Sequence, residues 1–330
     1  MSHRAARATV GCALFLLSLS LCACGSSVPI DDDDSAAEDP TPAPVPSAVD
    51  EACGTISNPG DPTATEGEIA GLVRFNCYRR LLGLTEVHMD PALMATARNH
   101  AHYIDANNAY GHEETDPSAE GYTGQWVADR AAAAGFVYDA IDTDLQEVVS
   151  RASTGADAAQ AVDLWVNSVY HRTPILRPDV QAVGIGQAGL YDVVVAAAPW
   201  EPAGDLQRIS LPADGQFGVP TSFDSDTETP DPSPRGVVGY PLNVGVQGPW
   251  TGPFEDPHGL RLDPITSSIT GPDGAVPFTV LDPSNDSHLR ENAFLLPDAP
   301  LAPNTAYTVV FSGQADGVDF EITSGFETGS

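Results

Sequence analysis

The apolar residues of this chain change their period near Gly204, and that change most restricts the folds open to it. Before it they recur at helical intervals. Residues 66–82 place Ile69, Leu72, Val73, Cys77 and Leu81 on one face, with Gly83 positioned to stop the helix. Asp90 as cap and Pro91 in the first turn open a second helix, with Leu93, Ala97, His100 or Ala101, and Ile104 on one side and an exit through Asn107 and Asn108. Thr123 is expected to cap a third, which carries Trp126, Val127, Arg130 and Ala131 and ends at Gly135. Residues 145–149 read as a short strand and 156–169 as a helix with Val162, Trp165, Val166 and Val169 inward. Valine-rich, glycine-bounded 183–186 and 191–198 suggest neighbouring strands. Helices covering a small sheet predict a three-layer α/β/α sandwich over 61–202.

From 203 to 330 proline and glycine punctuate short apolar stretches at 206–211, 237–246, 260–262, 276–281, 307–311 and 318–322. Alternation with period two is visible in Tyr307-Thr308-Val309 and in Val318-Asp319-Phe320-Glu321-Ile322. No long helical pattern interrupts it, so an all-β sandwich is predicted. Leu301, Pro303, Asn304, Thr305 and Tyr307 resemble the spacing in fibronectin type III and bacterial immunoglobulin-like domains, where the tyrosine ties down a loop. No acid, base and nucleophile set stands out here, so a spacer or adhesion role is expected. Pro230, Pro232 and Pro234 beside Glu228 and Asp231 read as a rigid acidic loop.

The N-terminus bears on the compartment. Arg4 and Arg7 precede an apolar run over 10–23 that is too short for a permanent span of about 20 residues and has the layout of a secretory signal. It ends in Leu21-Cys22-Ala23-Cys24 followed by Gly25, which resembles the lipobox of bacterial lipoproteins. The resemblance makes 1–24 the signal peptide and Cys24 the lipidation site. It implies attachment to a membrane through a lipid anchor, and Gly25 in place of aspartate implies sorting to the bacterial outer membrane or cell surface. An ordinary cleaved signal is the plainer alternative. Residues 25–60 contain Asp31 to Asp34, Glu38 and Asp39, then Pro40, Pro42, Pro44 and Pro46, and read as a disordered acidic, proline-rich tether.

The formal net charge is −32 and all 14 basic residues are arginine, which disfavours a nucleic-acid partner. Of five cysteines, Cys12 and Cys22 would leave with the signal and Cys24 would be acylated, leaving Cys53 and Cys77. An oxidising exterior would let that pair close as a disulfide, with a catalytic cysteine as the rival reading.

Arg79, Gly83-Leu84, Pro91-Ala92-Leu93, His112, Gly121, Arg130-Ala131, Gly135-Phe136, Glu147, Trp165-Val166-Asn167-Ser168, His171-Arg172 and Val183-Gly184-Ile185-Gly186 occur in one order. In that order they resemble bacterial members of the CAP superfamily, also called SCP or PR-1 domains. The resemblance implies the α/β/α CAP sandwich and a central cleft holding two histidines and two acidic residues. His112 and His171 match the histidines. Glu147 matches one glutamate, and the position of the second is Ser168. Two imidazoles and a carboxylate suit zinc or another divalent cation with positions open to water, with Glu147 as the candidate general base. A buried hydrogen-bonded network satisfied without metal fits the same residues.

The function expected is binding, through the cleft, of an envelope lipid, a glycan or a partner protein. The rival is a metal-assisted hydrolase of peptide, glycan or nucleic acid using His112, Glu147 and His171. His100 and His102 are expected to point apart, Glu113 and Glu114 to lie in a solvated loop, and Trp126 and Trp165 to be core residues.

Overall fold

The structure, a computed structural model, describes residues 47–137, 143–151, 158–199, 204–249, 256 and 258–330. The expected signal peptide, Cys24 and the tether as far as residue 46 lie outside the described residues. The first region is α/β. It runs α1 (Ala48–Ala52), α2 (Glu66–Leu81), β1 (His88–Met89), α3 (Pro91–Asn107), α4 (Val127–Ala133), β2 (Thr143–Arg151), α5 (Ala158–Val166), α6 (Arg172–Leu176), β3 (Ala182–Ala188) and β4 (Tyr191–Pro199). The four strands form one sheet in the order β1-β3-β4-β2, with β1 parallel to β3 and the other pairs antiparallel.

Strand β4 is buried along almost its whole length, and its alternate residues enter different cores. Val193, Val195 and Ala197 pack with Leu93, Ala97, Ala101 and Ile104 of α3. Val194, Ala196 and Ala198 pack with Leu72 and Phe75 of α2 and Val162 of α5. Helices therefore cover both faces of the sheet, which explains why β4 reads as a continuous apolar run. Contact with α3 is at backbone distance: a Cβ on Gly184 would lie 2.0 Å from the Leu93 carbonyl oxygen, and one on Gly186 2.3 Å from the Ala97 carbonyl carbon.

Local signals set most helix ends. Asp90 accepts from the N–H groups of Ala92 and Leu93, and Asn108 closes α3 at a left-handed φ of 50°. Arg79, wholly buried in α2, donates to the carbonyls of Thr85, Ile175, Arg177 and Pro178, tying α2 to the end of α6 and the chain after it. The expected Thr123 cap is not used. Helix α4 begins at Val127, where the Asp129 carboxylate accepts the Trp126 N–H at 3.0 Å, while Thr123 donates its N–H to Glu114 instead. Trp126 is exposed, not core, because it stands outside that helix.

Residues 47–60 of the expected tether carry structure. The Ser47 hydroxyl accepts from Asp50 N and the Asp50 carboxylate accepts from Ser47 N, which caps α1. Val49 is buried, Asp50 pairs with Arg74 at 2.6 Å, and Cys53 is bonded to Cys77. Charge and proline content, averaged over the segment, hide these few anchoring residues.

The second region is β-rich. Its strands are β5 (Gln207–Leu211), β6 (Gln216–Val219), β7 (Ser222–Asp224), β8 (Val237–Gly239), β9 (Leu242–Gln247), β10 (Arg261–Leu262), β11 (Ser268–Gly271), β12 (Gly274–Ala275), β13 (Phe278–Leu281), β14 (Asn292–Pro297), β15 (Ala306–Ala315) and β16 (Val318–Thr328). One sheet has the order β12-β11-β15-β16-β6, with β10 also on β15. A second is β13-β14-β9-β5, and β7 pairs with β8 alone. The apolar stretch over 237–246 forms two strands, broken at Tyr240-Pro241, where proline lacks the N–H a ladder needs. Tyr307 accepts the Ala302 N–H on its hydroxyl at 2.9 Å and so ties the loop before β15. One apolar core runs through both regions, from Leu72 and Trp165 to Tyr240, Leu242 and Val244.

Candidate functional site

Two polar clusters occupy the positions that the sequence marks. In the first, Glu147 on β2 accepts from Arg130 of α4 (Nη2 to Oε2, 2.6 Å) and lies 3.1 Å from His112 Nδ1. His100 of α3 sits behind, with Nδ1 3.2 Å from Glu114 Oε1, Nε2 3.0 Å from the Gly111 carbonyl and 3.6 Å from Glu147 Oε1. Glu114 in turn accepts the N–H groups of Thr123 and Gly124. Burial alone would raise the Glu147 carboxyl. The His112 hydrogen bond, the neighbouring His100 and the Arg130 guanidinium reverse this and hold it below its ordinary value. Arg130 thus supplies the positive charge beside this carboxylate, and its other hydrogen bonds fix the His112 and Gln125 carbonyls.

The second cluster lies where the β-rich region meets the chain between α5 and α6. Glu228, buried in the loop after β7, accepts the N–H groups of Val169 (2.8 Å), Tyr170 (2.6 Å) and His171 (3.1 Å), and its Oε1 is 2.8 Å from His171 Nδ1. Burial pushes the Glu228 carboxyl up, but the His171 bond and charge and the backbone donors outweigh it, and the group is held below its ordinary value. Tyr170 donates its hydroxyl to Asp286, and Arg172 reaches the Pro241 carbonyl at 2.8 Å with its guanidinium over the Tyr240 and Phe294 rings. The acidic, proline-rich loop that the sequence leaves without a task is this junction.

A cavity of about 620 Å³ opens beside it. Tyr110, Ser150, Trp165 and His171 line one side, and Phe223 and Glu228 of the β-rich region line the other. Neither His112 nor Glu147 is part of that lining. The structure pairs His112 with Glu147 and His171 with Glu228. Among the described residues, no group of three or more His, Cys, Asp or Glu side chains is placed to hold a metal ion. Ser168, which also lines the cavity, donates its hydroxyl to the Trp165 carbonyl at 2.8 Å and stays a small helix-end residue. The carboxylate beside His171 comes from Glu228, 57 residues further along the chain.

Residues 72–194 match the family model described as CAP, the cysteine-rich secretory protein family. The chain carries a CAP domain. Among solved structures, one match is an extracellular protein containing an SCP domain from Bacillus anthracis str. Ames, at 19% identity and a TM-score of 0.33. The alignment covers 38% of this chain and 38% of that one, so the chain spans well under half of its length. No curated protein matches.

Reasoning from sequence gathers His112, Glu147, Ser168 and His171 in one cleft and misses His100, Glu114, Arg130 and Glu228 as their partners. His100 and Glu114 are both fully buried, against the expectation of a solvated loop for Glu114. The signal available was the pair Arg130-Ala131 on a helix with an apolar face, since an arginine turned inward demands a carboxylate. Glu228 carried no signal beyond its proline-rich setting.

Proposed function

We propose that this is an extracytoplasmic binding protein whose ligand sits in the cavity shared by the CAP domain and the β-rich region. The observation that carries this reading is the cavity itself, which Arg151, Ser168 and His171 line from the first region and Phe223, Asp224 and Glu228 from the second. Charged, polar and aromatic side chains share that lining, which suits a ligand with both polar and apolar surface. Binding is preferred over metal-assisted hydrolysis because Glu147, the candidate base, is already paired with Arg130 and His112.

In the finer reading, the first region is an α/β/α CAP sandwich and the second an immunoglobulin-like sandwich. Lipidation at Cys24 would hold both at an outer membrane or cell surface, with the acidic segment before Ser47 as spacer. An envelope component, whether lipid, glycan or protein, is then the accessible class of partner.

Native mass spectrometry of the full-length protein taken from its own envelope tests the binding role. A retained small molecule, lost on Glu228→Ala, is expected. Stoichiometric metal together with turnover that disappears on Glu147→Gln would replace binding by hydrolysis. Cys24→Ser is expected to move the protein from the membrane to the soluble fraction, and unchanged membrane attachment would remove the lipid anchor.

A further inference from the structure

We infer that the junction cavity takes a short zwitterionic peptide, whose carboxylate meets Arg151 and whose ammonium meets Asp224. This rests on the binding role proposed above and specifies its chemistry. The acidic and basic side chains of the lining are Arg151, Asp163, His171, Asp224 and Glu228. Three of them are already matched within the protein. Glu228 is held by His171 and by three backbone N–H groups, and Asp163 by Arg74 at 2.5 Å and the Tyr78 hydroxyl at 2.7 Å. The other two are exposed. Arg151, at the end of β2, makes no side-chain hydrogen bond or ion pair among the described residues, and the Asp224 carboxylate, at the end of β7, accepts only the Asp226 N–H, on one oxygen at 3.2 Å. One accessible cation thus stands on the CAP side of the cavity and one accessible carboxylate on the β-rich side.

Both signs narrow the class. A simple anion would pair with Arg151 but meet Asp224 and a chain of net charge −32. A simple cation would pair with Asp224 and be repelled by Arg151. A neutral ligand would take water from both groups and return no charge to either. A zwitterion answers both, and its own charges sum to zero in the acidic field of the chain. Arg151 also offers the paired N–H donors that a terminal carboxylate accepts side by side. Apolar surface is present as well: Leu164 is 61% exposed and Tyr110 58%, and both line the cavity with Phe223. These three suit one apolar side chain rather than the two tails of a zwitterionic phospholipid. A peptide of two or three residues, at about 3.5 Å per residue, measures roughly 7–10 Å from end to end. A space of about 620 Å³ holds a chain of that size.

Isothermal titration calorimetry of the full-length protein tests this with the dipeptide alanyl-phenylalanine, its N-acetyl form, which lacks the ammonium, and its C-terminal amide, which lacks the carboxylate. The free dipeptide is expected to bind, and each blocked form to bind about tenfold more weakly. Arg151→Gln should erase only the preference over the amide. Asp224→Asn, which keeps an acceptor for the Asp226 N–H, should erase only the preference over the acetylated form. A general loss of fold would not separate the two. Blocked forms that bind as tightly as the free dipeptide would overturn the inference, as would preferences unchanged in both variants. Dihexanoylphosphatidylethanolamine carries the same two charges on a lipid head. Its binding in place of the dipeptide, weakened by Arg151→Gln, would overturn the peptide class and leave the cavity's binding role standing. A folded protein that binds no probe at up to about 10 mM would remove the peptide inference, and with an empty native mass spectrum would remove the binding role too.

Discussion

At the scale of single residues, two buried carboxylates govern the molecule, and each is held by donors from a different source. Glu228 accepts three backbone N–H groups and one imidazole, and removing it would orphan all four at once. Glu228→Ala is expected to cost about 3–5 kcal/mol in urea denaturation, the range for breaking a buried pair from one side. Glu228→Gln retains shape and some acceptors, so it should cost less. Because the native carboxyl is held below its unfolded value, its ionisation stabilises the fold above the ordinary carboxylate range, and that contribution fades as pH falls through the lowered native value. The stability gap between wild type and Glu228→Gln should accordingly narrow on acidification, and a gap that stays constant would contradict the assignment. Arg130→Met leaves Glu147 buried without its cation and is expected to cost a similar amount, while the double change Arg130→Met with Glu147→Gln should recover part of it.

At the scale of elements, close backbone approach and covalent closure set the geometry of the CAP domain. Gly184→Ala would drive a Cβ into the Leu93 carbonyl of α3, and neither partner is a flexible side chain that could yield. A loss of at least about 3 kcal/mol, or failure to fold, is expected by chemical denaturation. Replacing Cys53 and Cys77 by alanine opens a loop with a sequence separation of 24, which the chain-entropy model values at about 3 kcal/mol. A smaller loss would mean that α1 and its cap already restrain the segment.

The long helices were legible because Asp90-Pro91 and the apolar spacing of α2 and α3 act locally. Strand β14 was not, since Asn292–Pro297 is buried almost throughout and shows no alternation. The candidate site was half legible for the same reason. His112, Glu147 and His171 can be placed by their order along the chain, but the partner of His171 lies 57 residues away in a loop whose composition says only that it is stiff.

At the scale of the whole molecule, the described residues from Ser47 to Ser330 belong to one compact unit with a shared apolar core. The CAP domain and the β-rich region are expected to unfold in a single calorimetric transition. Glu228→Ala should split it into two, because the core alone then has to couple the regions. Two transitions in the wild type would show that the junction transmits little.

Glu228 lies outside the segment that matches the CAP family model, yet it completes the surroundings of a histidine within it. The two halves of this polypeptide are therefore inherited to advantage only together. A recombination event that moved residues 72–194 onto another scaffold would carry away an imidazole stripped of its counterpart and a recess missing one side. Selection on the recess would then act on the fusion point as strongly as on either half.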